Sequence, residues 1–411
     1  MKTLLINSHD KFGGAARAAY RLHKGFLENA IDSRMLVGFK SSDEVRVKGP
    51  VSKAQKLRVM AQTEFEPLLL KYIKGGAIKS FSPAWLPSSM LHQDISLISP
   101  DIVHLHWMCG GLFRLEQIGH IKKPMVWTLH DMWPFTGGCH YDEGCEKYKV
   151  SCGECPQLKR SCDSDLSHSV WSRKRSAWKD SDITLVAPSN WLAECARNST
   201  LFQGRRIEVI PNGIDLDLFK PVNRELARDM LGLPKDKKLV IFGAMNATTD
   251  DRKGFDLLLK GIQALQKSDD IELVIFGASE PLTPPEFGLP VHYMGVVNDD
   301  TSLVLLYSSS DVMVISSRQD NLPNTVVESM ACGVPSVAFK VGGLVDLIEH
   351  KTTGYLADAF NVSDITKGIE WILGDSKRHL KLCEAARERA ENLFDINLVV
   401  KQYSDVYKSI I

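Results

Sequence analysis

Two carboxylates, Asp320 and Glu328, bracket the polar run Asp320-Asn321-Leu322-Pro323-Asn324-Thr325-Val326-Val327-Glu328. Carboxylates in such a loop can accept hydrogen bonds from sugar and ribose hydroxyls. The backbone N–H groups of the loop and of the helix start behind it can grip phosphate or sugar oxygens. Thr325-x-x-Glu328 also matches a capping box, which would explain that Glu by itself. Capping explains neither Asp320 nor the length and polarity of the loop. A second group is Asp250-Asp251-Arg252-Lys253-Gly254, ahead of a helical pattern. Cations at a helix start oppose the macrodipole, which favours acids there. They become useful if a diphosphate sits at that end; the alternative is a solvated pair screened by Asp250 and Asp251. His130 ends the apolar run 125–129, where a strand terminus would point it at a ligand. Taken alone, it reads at least as well as an ordinary loop His beside Asp131. Gly13-Gly14 follows the first apolar run and opens a helical pattern. The pair either lets the backbone approach an anion or makes a tight turn.

These residues need a scaffold, and the apolar pattern supplies one. Short β-rich runs fall at 3–7, 34–38, 102–105, 125–129, 183–187 and 207–210. A second set falls at 239–242, 272–276, 311–315 and 336–339, with helical stretches such as 15–28 and 255–266 between runs. Near-continuous apolar strands separated by helices indicate parallel sheets covered on both faces. The pattern occurs twice, so the expected class is α/β with two doubly wound, Rossmann-like domains. The turn-rich stretch Pro211-Asn212-Gly213-Ile214-Asp215 marks the boundary, giving domains at 1–214 and 215–392. A last helical segment, 393–411, could return to the first domain. Ligands of such sheets bind beyond the carboxyl ends of the strands, so a cleft between the two domains is the expected active site.

At 411 residues the chain exceeds one ordinary core. Lys plus Arg and Asp plus Glu each total 50, so no global field draws nucleic acid, and phosphate binding must be local. MKTLLINSHD is too short in its apolar part for a signal peptide, and no run approaches a membrane span. A cytoplasmic enzyme is the default class. No G-x-G-x-x-G occurs, which argues against a dinucleotide cofactor. Of nine cysteines, Cys139, Cys145, Cys152, Cys155 and Cys162 crowd an insert at 139–162. An odd total without a secretion signal argues against a disulfide framework. The first four suit a tetrahedral structural zinc, with His140 and Cys162 as spare ligands; disulfides and free thiols are the alternatives. Residues 53–79 mix apolar side chains with Lys53, Lys56, Arg58, Lys71, Lys74 and Lys79. That composition suits either peripheral contact with the inner face of a membrane or a helix packed on the sheet. Residues 171–175, with Arg173, Lys174 and Arg175, pose the same choice.

The run Asp320 to Pro335, followed by Val341-Gly342-Gly343, resembles the signature of glycosyltransferase family 4. Gly13-Gly14, His130, the 211–215 stretch and Lys253-Gly254 fit the same family in order, over nearly the whole chain. The resemblance implies a retaining transferase of the GT-B fold that takes a nucleotide-diphosphate sugar as donor and needs no catalytic metal. The D-x-D triplets starting at Asp163, Asp180 and Asp215 are then chance matches. By this resemblance Lys253, with Arg252, would neutralise the diphosphate, and Glu328 would bind the ribose. Asp320 and the backbone of Asn321, Leu322, Pro323, Asn324 and Thr325 would hold the sugar. Gly13 and Gly14 would approach the diphosphate, His130 the reacting carbon, and the backbone of Val296 the base. Two departures stand out: the first acid is Asp rather than Glu, and Ala244 occupies the position of a phosphate-binding Arg. The Asp-Asn-Leu-Pro-Asn form and the cysteine insert are most similar to transferases that build bacterial exopolysaccharides of the colanic-acid kind. That implies a glycan or polyprenyl-linked saccharide as acceptor. A sugar-nucleotide epimerase and a non-catalytic sugar-nucleotide-binding protein are the competing classes.

Overall fold

Runs that are apolar on every residue cannot leave one face in water, and each becomes an inner strand of a parallel sheet. In a computed structural model, which describes residues 1–73, 81–88, 91–110, 112–159, 161–243, 250–265, 270–297 and 299–411, the chain divides into two compact units. One comprises Met1–Pro211 with Val399–Ile411, the other Asn212–Leu398.

The first unit carries β1 (Lys2–His9), β2 (Asp32–Phe39), β3 (Val47–Lys48), β4 (Ile102–Leu105), β5 (Met125–Thr128), β6 (Ile183–Ala187) and β7 (Ile207–Val209). They form one parallel sheet in the order β3-β2-β1-β4-β5-β6-β7. Leu4, Leu5, Ile6, Val103, Leu105, Val126 and Trp127 are all fully buried along it. Within the helix Ile396–Lys408, Tyr403 and Tyr407 belong to this unit. The Tyr403 hydroxyl lies 2.8 Å from Thr128 Oγ1, and the Tyr407 hydroxyl 2.6 Å from His104 Nδ1.

The second unit carries β8 (Lys238–Gly243), β9 (Ile271–Phe276), β10 (Val291–Tyr293), β11 (Val312–Ile315), β12 (Ser336–Phe339) and β13 (Gly354–Ala357). Its parallel order is β10-β9-β8-β11-β12-β13. In each sheet the chain winds outward from the first strand, jumps back across it and winds the other way. The jump makes a switch point between β1 and β4 in one unit and between β8 and β11 in the other. Loops leaving the carboxyl ends of those strands splay apart there and leave room for a ligand.

Candidate functional site

At the second switch point, β8 and β11 pair through Val240↔Val312 and Ile241↔Met313. The turn Asp251–Lys253 follows β8 in the chain, and the loop at 316–323 leaves β11. The two are laced together. Arg318 N–H donates to the Arg252 carbonyl at 2.7 Å, and the Ser316 hydroxyl to the Lys253 carbonyl at 2.9 Å. Gly254 (φ 64°) permits this approach, because a Cβ there would stand 2.0 Å from the Ser316 carbonyl oxygen. Arg252 and Lys253 sit in a separate 3₁₀ turn capped by Asp250, ahead of the helix Phe255–Gln263. That placement removes the conflict with the helix dipole read from the sequence.

The lacing delivers both cations to one carboxylate. Lys253 Nζ lies 2.7 Å from Asp320 Oδ2, and Arg252 reaches the same oxygen at 3.3 Å. Arg252 also donates to the Gln319 carbonyl at 3.0 Å and to Asp250 at 3.0 Å. The Ser317 hydroxyl and the Asn321 N–H add bonds to Asp320, each at 3.1 Å. From the other side, Gly343 N–H donates to the Asp320 carbonyl at 3.0 Å. Gly342 (φ 53°) allows that contact, since its Cβ would fall 2.2 Å from the same oxygen. Burial alone would raise the Asp320 carboxyl. Lys253 and then Arg252, with bonds from Lys253 and Ser317, outweigh burial and hold it at about 2. The site is thus a charged clamp, with two cations oriented by one buried acid.

Glu328 is 2% exposed, and its Oε2 accepts the Tyr307 hydroxyl at 2.7 Å. The capping-box alternative does not hold. The helix is Asn324–Ala331 with Pro323 at the cap and no side-chain cap bond, so Thr325 already lies inside it. Asn324 accepts from the Asn212 side-chain amide at 3.0 Å, and Leu322 is buried. Val296 is 61% exposed, just past β10, where Gly277 N–H donates to the Gly295 carbonyl at 2.8 Å. Ala244, the departure next to Gly243, lies outside the described residues.

In the first unit, Gly13 (φ 93°) caps the helix Gly14–Glu28, whose first turn has neither an acid nor a side-chain cap. His130 stands at the carboxyl end of β5. Its neighbour Asp131 takes His140 Nδ1 at 2.6 Å and the Trp107 indole N–H at 2.9 Å. His130 Nε2 lies 3.0 Å from His106 Nδ1. Burial pulls His130 down to about 4, against the attraction of Asp131, so its ring is neutral at neutral pH. His106, Tyr307 and Ser317 were not singled out from the sequence. A second His closing the strand Ile102–Leu105 was the available signal for the first; nothing local marks the other two.

The cysteine window departs from the expected zinc shell. Cys139, Cys145, Cys152 and Cys155 do line one cavity of about 20 Å³. Yet among the described residues no group of three or more His, Cys, Asp or Glu is placed to hold a metal ion. Burial raises the Cys139 thiol and pushes Cys152 and Cys155 up to about 12 and 11, so these thiols are protonated as they stand. Cys152 Sγ accepts the Gly137 N–H at 3.0 Å. The basic stretch 171–175 is likewise no membrane face. Lys174 is fully buried and donates to the Trp133 and Thr136 carbonyls, while Arg173 is tied to Glu116. The helix Lys53–Ile73 is packed on one side and open on the other: Val59 lies against the core and Glu66 and Leu70 are buried, while Leu57, Met60, Phe65 and Leu68 are 48–69% exposed. Lys74 and Lys79 lie outside the described residues. No helix among the described residues is long and apolar enough to cross a membrane.

Two parallel Rossmann-like sheets, with a charged clamp at one switch point, define a glycosyltransferase of the GT-B type. Sucrose-phosphate synthase from Thermosynechococcus elongatus shares the fold at a TM-score of 0.72 and 19% identity, over 100% of this chain and 99% of that one. Anabaena HepE in complex with UDP-glucose does so at 0.63 and 18%, over 100% of both. At such identities the likeness establishes the fold. Residues 12–218 match the family model described as Glycosyltransferase Family 4, and residues 236–375 match Glycosyl transferases group 1. The chain belongs to glycosyltransferase family 4. Among curated relatives, WcaC of Escherichia coli K12, named for colanic acid biosynthesis, is 27% identical over 360 residues, 82% of this chain and 83% of its own. A D-inositol 3-phosphate glycosyltransferase of Pseudarthrobacter chlorophenolicus is 27% identical over 306 residues, 71% and 67%.

Proposed function

We propose that this enzyme moves a sugar, with retention, from a nucleoside-diphosphate sugar to a glycan or polyprenyl-linked saccharide in bacterial surface polysaccharide synthesis. The observation that carries the donor half is the clamp at the β8/β11 switch point. A leaving nucleoside diphosphate gathers negative charge as the glycosidic bond breaks. Lys253 and Arg252, already oriented by Asp320, are cations preorganised to meet it. The backbone of Asn321 to Thr325 and the Asp320 carboxylate face the sugar, Glu328 the ribose, and the Val296 backbone the base. Gly13 and Gly14 leave room for the diphosphate, and His130 contacts the sugar near the reacting carbon. The acceptor hydroxyl attacks from the face the diphosphate leaves and passes its proton to the departing phosphate oxygen, so no protein nucleophile is invoked. HepE, with UDP and UDP-glucose bound, and WcaC support the donor class and the pathway class.

The test is a thermal-shift panel of UDP, GDP, ADP, CMP and dTDP. A nucleoside diphosphate at about a hundred times its dissociation constant adds roughly 2.7 kcal/mol. One of the diphosphates is expected to raise the melting temperature and to lose that effect in Lys253→Ala. No shift with any of them removes the donor reading, and binding without turnover favours a non-catalytic binder.

Two finer readings accompany this one. The exposed apolar residues of Lys53–Ile73, together with Lys53, Lys56, Arg58 and Lys71, support peripheral contact with the anionic inner face of a membrane. Co-flotation with anionic but not neutral vesicles is expected, and equal recovery with both refutes it. Structural zinc in the cysteine window is supported by the four thiols that line one small cavity. Elemental analysis of protein purified without chelator should then find about one zinc per chain; a trace removes the idea.

A further inference from the structure

The carboxyl ends of β4 and β5 bring three imidazoles into a file. The rings of His104 and His106 lie 4.2 Å apart, and those of His106 and His130 stack at 5.2 Å. The inner end of the file is fixed. His104 Nδ1 meets the Tyr407 hydroxyl at 2.6 Å, and its Nε2 meets Thr128 Oγ1 at 2.8 Å. His106 is held through its backbone. Its N–H donates to the Ile6 carbonyl at 2.9 Å, and its carbonyl accepts the Trp127 indole N–H at 3.0 Å.

His106 is 3% exposed, and its Nε2 is buried without a hydrogen-bond partner among the described residues. Its Nδ1 lies 3.0 Å from His130 Nε2. Burial keeps all three rings neutral at neutral pH, so one of the facing nitrogens must donate and the other accept. If His106 carried its proton on Nε2, that N–H would be sealed in the core with nothing to receive it. With the proton on Nδ1, the orphan is a lone pair, the cheaper group to leave unmatched.

From this we infer that His106 is a positioning residue for the transfer: it donates from Nδ1 to Nε2 of His130 and fixes His130 as its Nδ1–H tautomer. His130 then offers a hydrogen-bond donor, not an acceptor, to an oxygen of the donor sugar. The inference rests on the proposed contact of His130 with that sugar. It assigns the direction of the contact and names the buried group that sets it.

Imidazole ¹⁵N–¹H correlation spectra of the full chain, with His130 assigned by substitution, read the tautomer directly. Nδ1 of His130 should be protonated and Nε2 bare. His106→Asn places an amide N–H₂ near the old Nδ1, so it should keep the tautomer and retain kcat within about threefold. His106→Leu removes the donor. It should release His130 to a tautomer mixture and lower kcat about tenfold or more at little cost in KM, since a wrong tautomer can cost far more. An unchanged nucleoside-diphosphate thermal shift certifies that both variants fold. A wild-type His130 protonated on Nε2 overturns the inference without any variant, as does a Leu variant with unaltered tautomer and kcat. The expected tautomer combined with full turnover in His130→Ala would instead sink the contact of His130 with the sugar.

Discussion

Replacing Lys253 with alanine is expected to lower kcat/KM about 10³-fold, with most of the loss in kcat. Losing one preorganised group aimed at developing charge costs about 10²–10³ in rate, or roughly 3–4 kcal/mol. A full cation facing a diphosphate belongs at the upper end. The loss falls on kcat because the charge on the leaving diphosphate grows toward the transition state. A second effect must be separated from the first. Lys253 is the stronger partner of the buried Asp320 carboxylate, 2.7 Å away against 3.3 Å for Arg252. Without it the carboxyl rises from about 2, and the loop at 316–323 loses an anchor. Adding Asp320→Asn neutralises the stranded acid. The double variant should regain melting temperature over Lys253→Ala and recover little turnover. If it recovers turnover too, Lys253 serves the loop and not the leaving group. A loss below about fivefold in the single variant rejects the clamp as the catalytic element.

The same geometry shows which features a chain of letters can carry. The inner strands were legible because a strand covered on both faces is apolar at every position, as in the Val-Ile-Phe of β8 and the Val-Met-Val-Ile of β11. β3, β10 and β13 escaped, being two to four residues long and partly exposed, with little apolar surface to betray them. The chemistry of the 320–328 loop was visible in its polarity, but its central contact was not. Asp320 and Lys253 stand far apart in sequence, and only the pairing of β8 with β11 joins the loops that bear them. The Thr325-x-x-Glu328 match shows the opposite failure. A local rule fitted the letters, yet the helix began two residues earlier and Glu328 turned to Tyr307. His106 was hidden for a third reason. Its neighbour His130 lies on the adjacent strand, and its lack of an outer partner is a property of the core around it.

Mild acid should unfold the first unit before the second. His23, His104 and His106 are buried there at 0%, 0% and 3% exposure. Burial pulls His23 to about 4, His104 to about 3, and His106 well below its ordinary value. In the unfolded chain each titrates near 6.5. Above that pH both states are neutral and these groups leave stability unchanged. Below it the unfolded chain binds protons that the folded unit refuses, so stability falls with pH until the folded values are reached. At pH 5 each histidine costs about 2 kcal/mol, and the three together cost about 6. That is comparable with the whole stability of an ordinary domain, about 5–15 kcal/mol. The strongly lowered acid of the second unit, Asp320, acts in a window from its ordinary value near 3.8 down to about 2, so it is silent at pH 5. Lys174, pulled down to about 7 by burial, acts between its ordinary 10.5 and about 7 and adds little below that. The readout is built in: seven of the eight tryptophans lie in the first unit, and only Trp371 in the second. Urea denaturation followed by tryptophan fluorescence should therefore shift to a much lower midpoint between pH 7.5 and pH 5. Trp371 alone, isolated by replacing the others with Phe, should move far less. Equal shifts would mean that the three imidazoles reach water in the folded unit. The stacked file that sets the His130 tautomer would then have no dry core to sit in.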